Sequence, residues 1–456
     1  MEIATQLAKW IVKTGPEEIS KVVLEKAKVH LLDTIGVMIG GATDDVGRVI
    51  TEYVQALGGK PACKVIGTSI KTAPPMAALA NGVMGHALDF DDTSYSYISH
   101  VSVSILPSAI ALGEWVDAPG IQVLASYIIG SEVACKLGAM VTPKLYEDGW
   151  HSTCVIGAFG AAAVAGKLLG LTENQMVNAL AITVSEASGV KGNIGTMSKP
   201  FQVGRSAENG VVAALLAQKG MTGSSDIFEK DFGFCQTFKV KSEFAPFYSK
   251  MGNPFDIDTP GFYMKEFPSC SSTHPALNAI IRLIQEHQIN PDQVESVDCA
   301  ATPLVVTSLF YPNPQDAVQA RFSMQFCLGA ALLGKGEVKV TDFRDEKVRD
   351  AKVLEMMKKI NLRISPELEK KGFAPSDGPE AAIVEIVMKS GKRYSKRNSF
   401  ADWRPDHMPS GEALTKKYRD CASLVLSRDK LERSIEQIQS LEKLKTIRKL
   451  MTSITV

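Results

Sequence analysis

The chain has 456 residues, enough for two or three domains at about 100 to 200 residues each, so a small stapled scaffold is excluded. With 45% hydrophobic and 22% charged residues it has the composition of a folded globular protein and not of a disordered one. Fifty Lys plus Arg offset fifty Asp plus Glu, so no overall charge draws it to nucleic acid or to an anionic membrane, and any binding preference must come from local clusters.

Aromatic residues make up only 7% while Ala, Gly and Leu recur, which predicts closely packed helices. The first clear element runs from Glu17 to Met38, where Ile19, Val22, Val23, Ala27, Leu31, Ile35 and Met38 recur at intervals of three and four. His30 shares that stripe and reads as a core histidine with a satisfied ring nitrogen. A short β-type run, Cys63 to Gly67, follows the Gly58-Gly59 turn, and Pro74-Pro75 opens a helix over about 76–88. Further helical windows cover about 102–116, 120–140, 152–169, 173–188 and 205–220. The most apolar stretch, Val155 to Leu171, is interrupted by Lys167 and is shorter than the about 20 residues of a membrane span, so it reads as a buried core helix.

After Pro260 the texture changes. A helix over Pro275 to Gln288 is followed by β-branched alternation from Val294 to Val306 and by a strand over Glu380 to Met388, which runs through Ser390-Gly391-Lys392 into a second short strand. Near Trp403 helical periodicity returns, and the charged run from Leu424 to Met451 reads as a solvated helix face. Eight cysteines (Cys63, Cys135, Cys154, Cys235, Cys270, Cys299, Cys327 and Cys421) are scattered with no CxxC pair, the usage of a reducing compartment. With no basic and apolar leader pattern at the N-terminus, a cytoplasmic location is expected.

The densest polar cluster is His86-Ala87-Leu88-Asp89-Phe90-Asp91-Asp92-Thr93, at a helix end and followed by His100. Three carboxylates in four positions repel one another, so at least one needs an external reason, a cation, a hydrogen-bond network or acid/base work, with helix capping the alternative for any single one. No DDxxD spacing and no second metal motif supports magnesium-diphosphate chemistry. Gly149-Trp150-His151-Ser152 precedes a small-residue helix, whose dipole disfavours a protonated His151. Nearby Gly160 and Gly166-Lys167 miss the P-loop spacing, and no GxGxxG turn is present, so nucleotide binding is unsupported. Lys199 and Arg205 are placed just ahead of a helix starting near Ala207, where cations and orphan N–H groups together hold a carboxylate or phosphate. Lys265, Cys270 and His274 lie where the second domain starts; Cys270 and His274 read as a thiol and imidazole pair or a helix start, with no second pair of ligands to complete a zinc site.

Four segments, HALDFDDT at 86–93, GWHS with its Gly/Ala-rich helix at 149–170, KPFQVGRSAENG at 199–210 and KEFPSCSSTHPA at 265–276, resemble in order and spacing the MmgE/PrpD family over about residues 5–410. Members of that family include 2-methylcitrate dehydratase, cis-aconitate decarboxylase and iminodisuccinate epimerase. The resemblance implies a mainly α fold, with a large all-helical domain formed from residues 1–262 and 398–456 and a smaller inserted α+β lid over 263–397. It also implies a homodimer that uses no metal or organic cofactor. The family's active-site positions fall on Asp89, Thr93, His100, His151, Lys199 and Lys265, and Cys270 stands where the animal decarboxylase carries His.

The expected activity is that of a cofactor-independent lyase, nominally 2-methylcitrate dehydratase-like, moving a proton at carbon next to a carboxylate of a small di- or tricarboxylate. Decarboxylation of cis-aconitate, epimerisation of iminodisuccinate and non-catalytic polycarboxylate binding are the alternatives. In the expected scheme His100 or His151 moves the proton and Asp89 tunes an imidazole. Lys199 and Lys265 hold carboxylates, and Thr93, Arg205, Cys270 and His274 contact substrate.

Overall fold

The computed structural model describes residues 2–240, 243–369 and 378–456. The fold is mainly α, and backbone contacts divide it into two units, Met1–Met264 with Pro409–Val456, and Lys265–Met408. In the second unit the Arg282 guanidinium donates to both oxygens of Asp402 at 2.5 and 2.6 Å. That pairing keeps the stretch after Asn398 with the second unit, beyond the 397/398 boundary that the resemblance implies.

The first unit is a packed set of helices, including Lys21–Gly41, Pro74–Ala87, Val101–Val116, Gly120–Val141, Ser152–Leu168, Glu173–Glu186 and Ser198–Gln218. Lys21–Gly41 begins where the Ser20 hydroxyl accepts the Val23 N–H, satisfying one of the orphan donors of the first turn. Pro74-Pro75 start the next helix without loss, because a first turn has no partner for their missing N–H groups. The same tolerance moves a second helix start. Pro200 sits in the first turn of Ser198–Gln218, so this helix starts well before Ala207 and Arg205 lies inside it. The β-type run at Cys63 shrinks to a two-residue strand β1, Cys63–Lys64, paired antiparallel with β2, Lys71–Thr72. Gly120–Val141 is long and apolar enough to cross a membrane, but it is buried among the other helices.

Small residues let these helices approach closely. Ser198–Gln218 packs along Pro74–Ala87, and a Cβ on Gly82 would lie only 2.8 Å from the Gly204 Cα. Any larger residue at either position would push Lys199 and the 86–89 turn apart. The C-terminal segment completes this unit. Gly411–Ala422 packs on Lys21–Gly41, with Tyr418 buried and its hydroxyl 2.6 Å from that of Ser434. The charged run after Leu424 is not one helix; it breaks into Arg428–Gln439 and Arg448–Ser453, whose Leu431, Ile435, Leu450 and Met451 turn inward.

The second unit carries a four-stranded sheet of order β4-β3-β5-β6, with β3 Val294–Ala301, β4 Ile360–Ile364, β5 Ala382–Met388 and β6 Arg393–Asn398. Strand β3 pairs parallel with β4 and antiparallel with β5, in the register Cys299 opposite Leu362 and Val384. One face supplies Val297, Cys299, Val384 and Ile386 to a core completed by Leu277, Ile280 and Phe326 from the helices His274–His287 and Met324–Leu333. The expected strand over 294–306 ends at Ala301, since Pro303 cannot donate to the ladder and opens a short helix instead.

Candidate active site

Within the first unit three helix N-termini bear on one polar cluster. His100 is the N-cap of Val101–Val116, His151 is the N-cap of Ser152–Leu168, and Lys199 is the second residue of Ser198–Gln218. Each such terminus presents unpaired N–H groups and a partial positive charge, a setting that favours an anion. Into the same space the helix Pro74–Ala87 delivers His86 and the turn that follows it.

That turn separates its three carboxylates by giving each a different partner. Asp89, in a left-handed conformation at φ 48°, accepts from the Lys199 ammonium at 2.7 Å, with both groups buried. Asp91 lies 2.9 Å from Nδ1 of His86 and 3.1 Å from Nδ1 of His100. Burial opposes its negative charge, but the two imidazoles outweigh burial and hold the carboxyl well below its ordinary pKa. Asp92 turns the other way, 2.9 Å from Nδ1 of His30, and accepts from the Ser102 backbone N–H at 3.1 Å and from the Ser102 hydroxyl, which itself lies 2.5 Å from the Tyr127 hydroxyl. His30 is thus the core histidine that the helical stripe predicts.

The histidines sit together. The ring centroid of His86 is 4.5 Å from that of His100 and 6.3 Å from that of His151. Burial, with Lys199 and His100 adding to it against the pull of Asp91, lowers the His86 pKa to about 4. Burial first, and Lys199 next, likewise hold His151 well below the ordinary value. The His100 side chain is 15% exposed whereas those of His86 and Asp91 are sealed, so His100 is the imidazole of this trio with access to solvent.

The backbone fixes these positions. Thr93 exchanges both backbone hydrogen bonds with Tyr263, at 2.8 and 2.7 Å, and the His100 N–H donates to the Thr153 hydroxyl at 3.1 Å. From the C-terminal segment, Lys417 donates to the Phe90 carbonyl at 2.8 Å and pairs with Asp33 at 2.6 Å, tying the carboxylate turn to a residue more than 300 positions away.

Asp89, His100, His151 and Lys199 therefore belong to one cluster, and Thr93 anchors its loop. Arg205 does not join them as a cation: its guanidinium pairs with Glu208 at 2.5 Å and lines a separate cavity of about 350 Å³ with Gln202, Asn209 and Cys154. Arg205 lies six positions beyond Lys199 in the same helix, about 240° further round its axis, which turns it to another face. Asp89 pairs with Lys199 and acts on His151 by its charge, while the carboxylate nearest the Nδ1 atoms of His86 and His100 is Asp91. Lys265, Cys270 and His274 belong to the second unit, where Lys265 is buried and the Cys270 N–H donates to the Arg321 carbonyl at 2.9 Å. The His274 ring packs edge-on against Phe267 in that unit's core, with its Nε2 3.4 Å from the Ser269 carbonyl oxygen.

The sequence marks His86 and Asp91 only as members of the polar cluster and Cys154 only as one of eight scattered cysteines, with no role for any of the three. The first two are five residues apart across a helix end, a spacing no periodicity marks. His86, Asp89, Asp91 and His100 also bring a ligand atom each within 4.8 Å of one another, the spacing of a metal-ligand set. The cation seated against this group is the ammonium of Lys199, and Asp91 is engaged by two imidazole nitrogens.

Models of the MmgE/PrpD N-terminal and C-terminal domains match residues 5–246 and 267–443. The chain belongs to the MmgE/PrpD family. It is 29% identical over 440 residues to a cis-aconitate decarboxylase of Mus musculus, covering 92% of this chain and 87% of that one. Similarity to a cis-aconitate decarboxylase of Aspergillus terreus is 25% over 473 residues, covering 98% and 95% of the two chains. A 2-methylcitrate dehydratase of Salmonella typhimurium is 22% identical over 410 residues, covering 83% and 81%. These MmgE/PrpD relatives are enzymes named for two reactions, a decarboxylation and a dehydration.

Proposed function

We propose that this MmgE/PrpD protein is a lyase for a small di- or tricarboxylate, working by proton transfer at carbon next to a carboxylate without metal or organic cofactor. The observation that carries the reading is the pairing of a buried cation, Lys199, with two imidazoles, His100 and His151, at three helix N-termini. A carbon acid of this type is weak, and a fixed ammonium with oriented N–H groups stabilises the enediolate formed when it loses a proton, a contribution of several kcal/mol. Asp89 holds that ammonium in place.

Asp91 sets the direction of proton flow at His100. The Asp91 carboxylate, 3.1 Å from Nδ1 of His100, favours the tautomer with the proton on that nitrogen, which leaves the Nε2 lone pair as a base. In a dehydration Nε2 of His100 takes the proton and the electron pair enters the carboxylate. The pair then returns to expel hydroxide from the neighbouring carbon, which leaves as water with a proton from His151. Two proton carriers fit this two-proton reaction, which favours 2-methylcitrate-like dehydration. The higher identity to cis-aconitate decarboxylases favours a second reading, in which CO2 leaves and His151 protonates the carbanion. Epimerisation would use the same two groups on opposite faces of one carbon.

The working form is proposed as a cytoplasmic homodimer, checked by light scattering and by localisation. Proton NMR of 2-methylcitrate, citrate, cis-aconitate and iminodisuccinate with the enzyme in deuterated water tests the reading. Consumption of one of them with deuterium entering carbon supports it, deuterium exchange without net product points to epimerisation, and binding without turnover or exchange overturns it.

A further inference from the structure

Resting on the reading of His151 as a proton donor, we infer that Cys154 is a positioning residue that fixes the tautomer of His151, the thiol donating to Nδ1 so that the ring carries its proton on Nε2. The two side chains are in contact, Cys154 Sγ lying 3.1 Å from His151 Nδ1, with both buried. Helix geometry makes this contact. His151 is the N-cap and Cys154 the third residue of Ser152–Leu168, the position from which a side chain reaches back to the cap.

Both partners are held. The His151 N–H donates to the Gly189 carbonyl at 3.0 Å and the Cys154 N–H to the His151 carbonyl at 2.9 Å. Gly189, at φ +127°, leaves room for the thiol, since a Cβ there would lie 2.9 Å from Cys154 Cβ. Behind the thiol, Val103 and Val203 close an apolar patch around Cys154. Burial pushes the Cys154 thiol well above its ordinary pKa, so it remains S–H, a donor. A neutral imidazole that accepts at Nδ1 must hold its proton at Nε2.

The consequence is a pair of imidazoles preset in opposite senses. His100, with the Asp91 carboxylate 3.1 Å from its Nδ1, keeps its proton on that side and is a base at Nε2, while His151 accepts at Nδ1 and is an acid at Nε2. Neither has to rearrange before the proton moves.

The test uses full-length protein with 15N-labelled histidine. Wild type and Cys154→Ser should both show His151 as the Nε2–H tautomer, and Cys154→Ala should lose that bias. On whichever of the four polycarboxylates wild type consumes, kcat of Cys154→Ala should fall about tenfold with KM unchanged, and Cys154→Ser should restore it. An Nε2–H signal and a wild-type kcat in Cys154→Ala would overturn the inference. The tautomer measurement needs no substrate, so it judges Cys154 even if His151→Gln proves active and the catalytic reading of His151 fails.

Discussion

Asp91 and Asp92 are adjacent and both fully buried, yet the networks they anchor end in different places. Asp91 connects through His100 to a partly exposed imidazole, whereas Asp92 connects to His30, Ser102 and Tyr127, each 1% exposed or less. The residue types are the same: a carboxylate, an imidazole and hydroxyl or N–H donors. What differs is whether the chain of hydrogen bonds has an end that a substrate can reach. A sealed network holds a turn in place, and under the proposed function the open one moves protons.

The largest effects are expected at the open end. Lys199→Met and His151→Gln should each lower turnover by at least about a hundredfold in steady-state assays. Wild-type rates in both would place the chemistry elsewhere. Asp91→Asn puts an amide where two imidazoles need an acceptor, and kcat should fall on the order of a hundredfold with the far-ultraviolet circular dichroism unchanged. At the sealed end the order reverses. His30→Gln should destabilise the protein by about 1 to 3 kcal/mol in urea unfolding, because it leaves buried Asp92 short of a donor. Its kcat should stay within about threefold of wild type.

How much of this contrast the sequence discloses depends on the residue. Helices with regular apolar spacing, such as Lys21–Gly41 and Gly120–Val141, are legible because a 3.6-residue period needs only local information. His100, His151 and Lys199 are legible as polar residues at helix starts. The division of labour among Asp89, Asp91 and Asp92 is not, because it follows from where each side chain points after a left-handed residue at Asp89 redirects the turn. Lys417 is hidden for another reason: its partner carbonyl at Phe90 is brought to it only by tertiary packing, and nothing in a charged C-terminal helix sets it apart. Arg205 differs because the helix expected to start near Ala207 starts at Ser198, with Pro200 accommodated in its first turn.

The buried histidines also predict a pH dependence of stability. His86 has its pKa lowered from 6.5 to about 4, so between those values the unfolded chain takes up a proton that the native state refuses. Its contribution is complete above pH 6.5 and is lost as the pH falls toward 4, on the order of 3 kcal/mol in all. Glu132 acts in the opposite sense. Burial and nearby Asp256 raise its pKa to about 7, so stability from this group is lost as the pH rises from 4.5 to 7. Comparing wild type with His86→Gln cancels Glu132. The stability gap between them should shrink as the pH is lowered through that window, and a constant gap would contradict the buried neutral state of His86. Smallest of all should be the effect of EDTA, with turnover unchanged; loss of activity restored by a divalent metal would show that the His86, Asp89, Asp91 and His100 group serves a metal ion.

The most direct measurement is proton NMR in deuterated water of wild type, Asp91→Asn and His30→Gln side by side, each confirmed folded, on the polycarboxylate that wild type consumes. The account predicts carbon-bound deuterium or product from wild type and His30→Gln at comparable rates, and a loss on the order of a hundredfold in Asp91→Asn. Equal loss in the two variants, or full activity in Asp91→Asn, would contradict it.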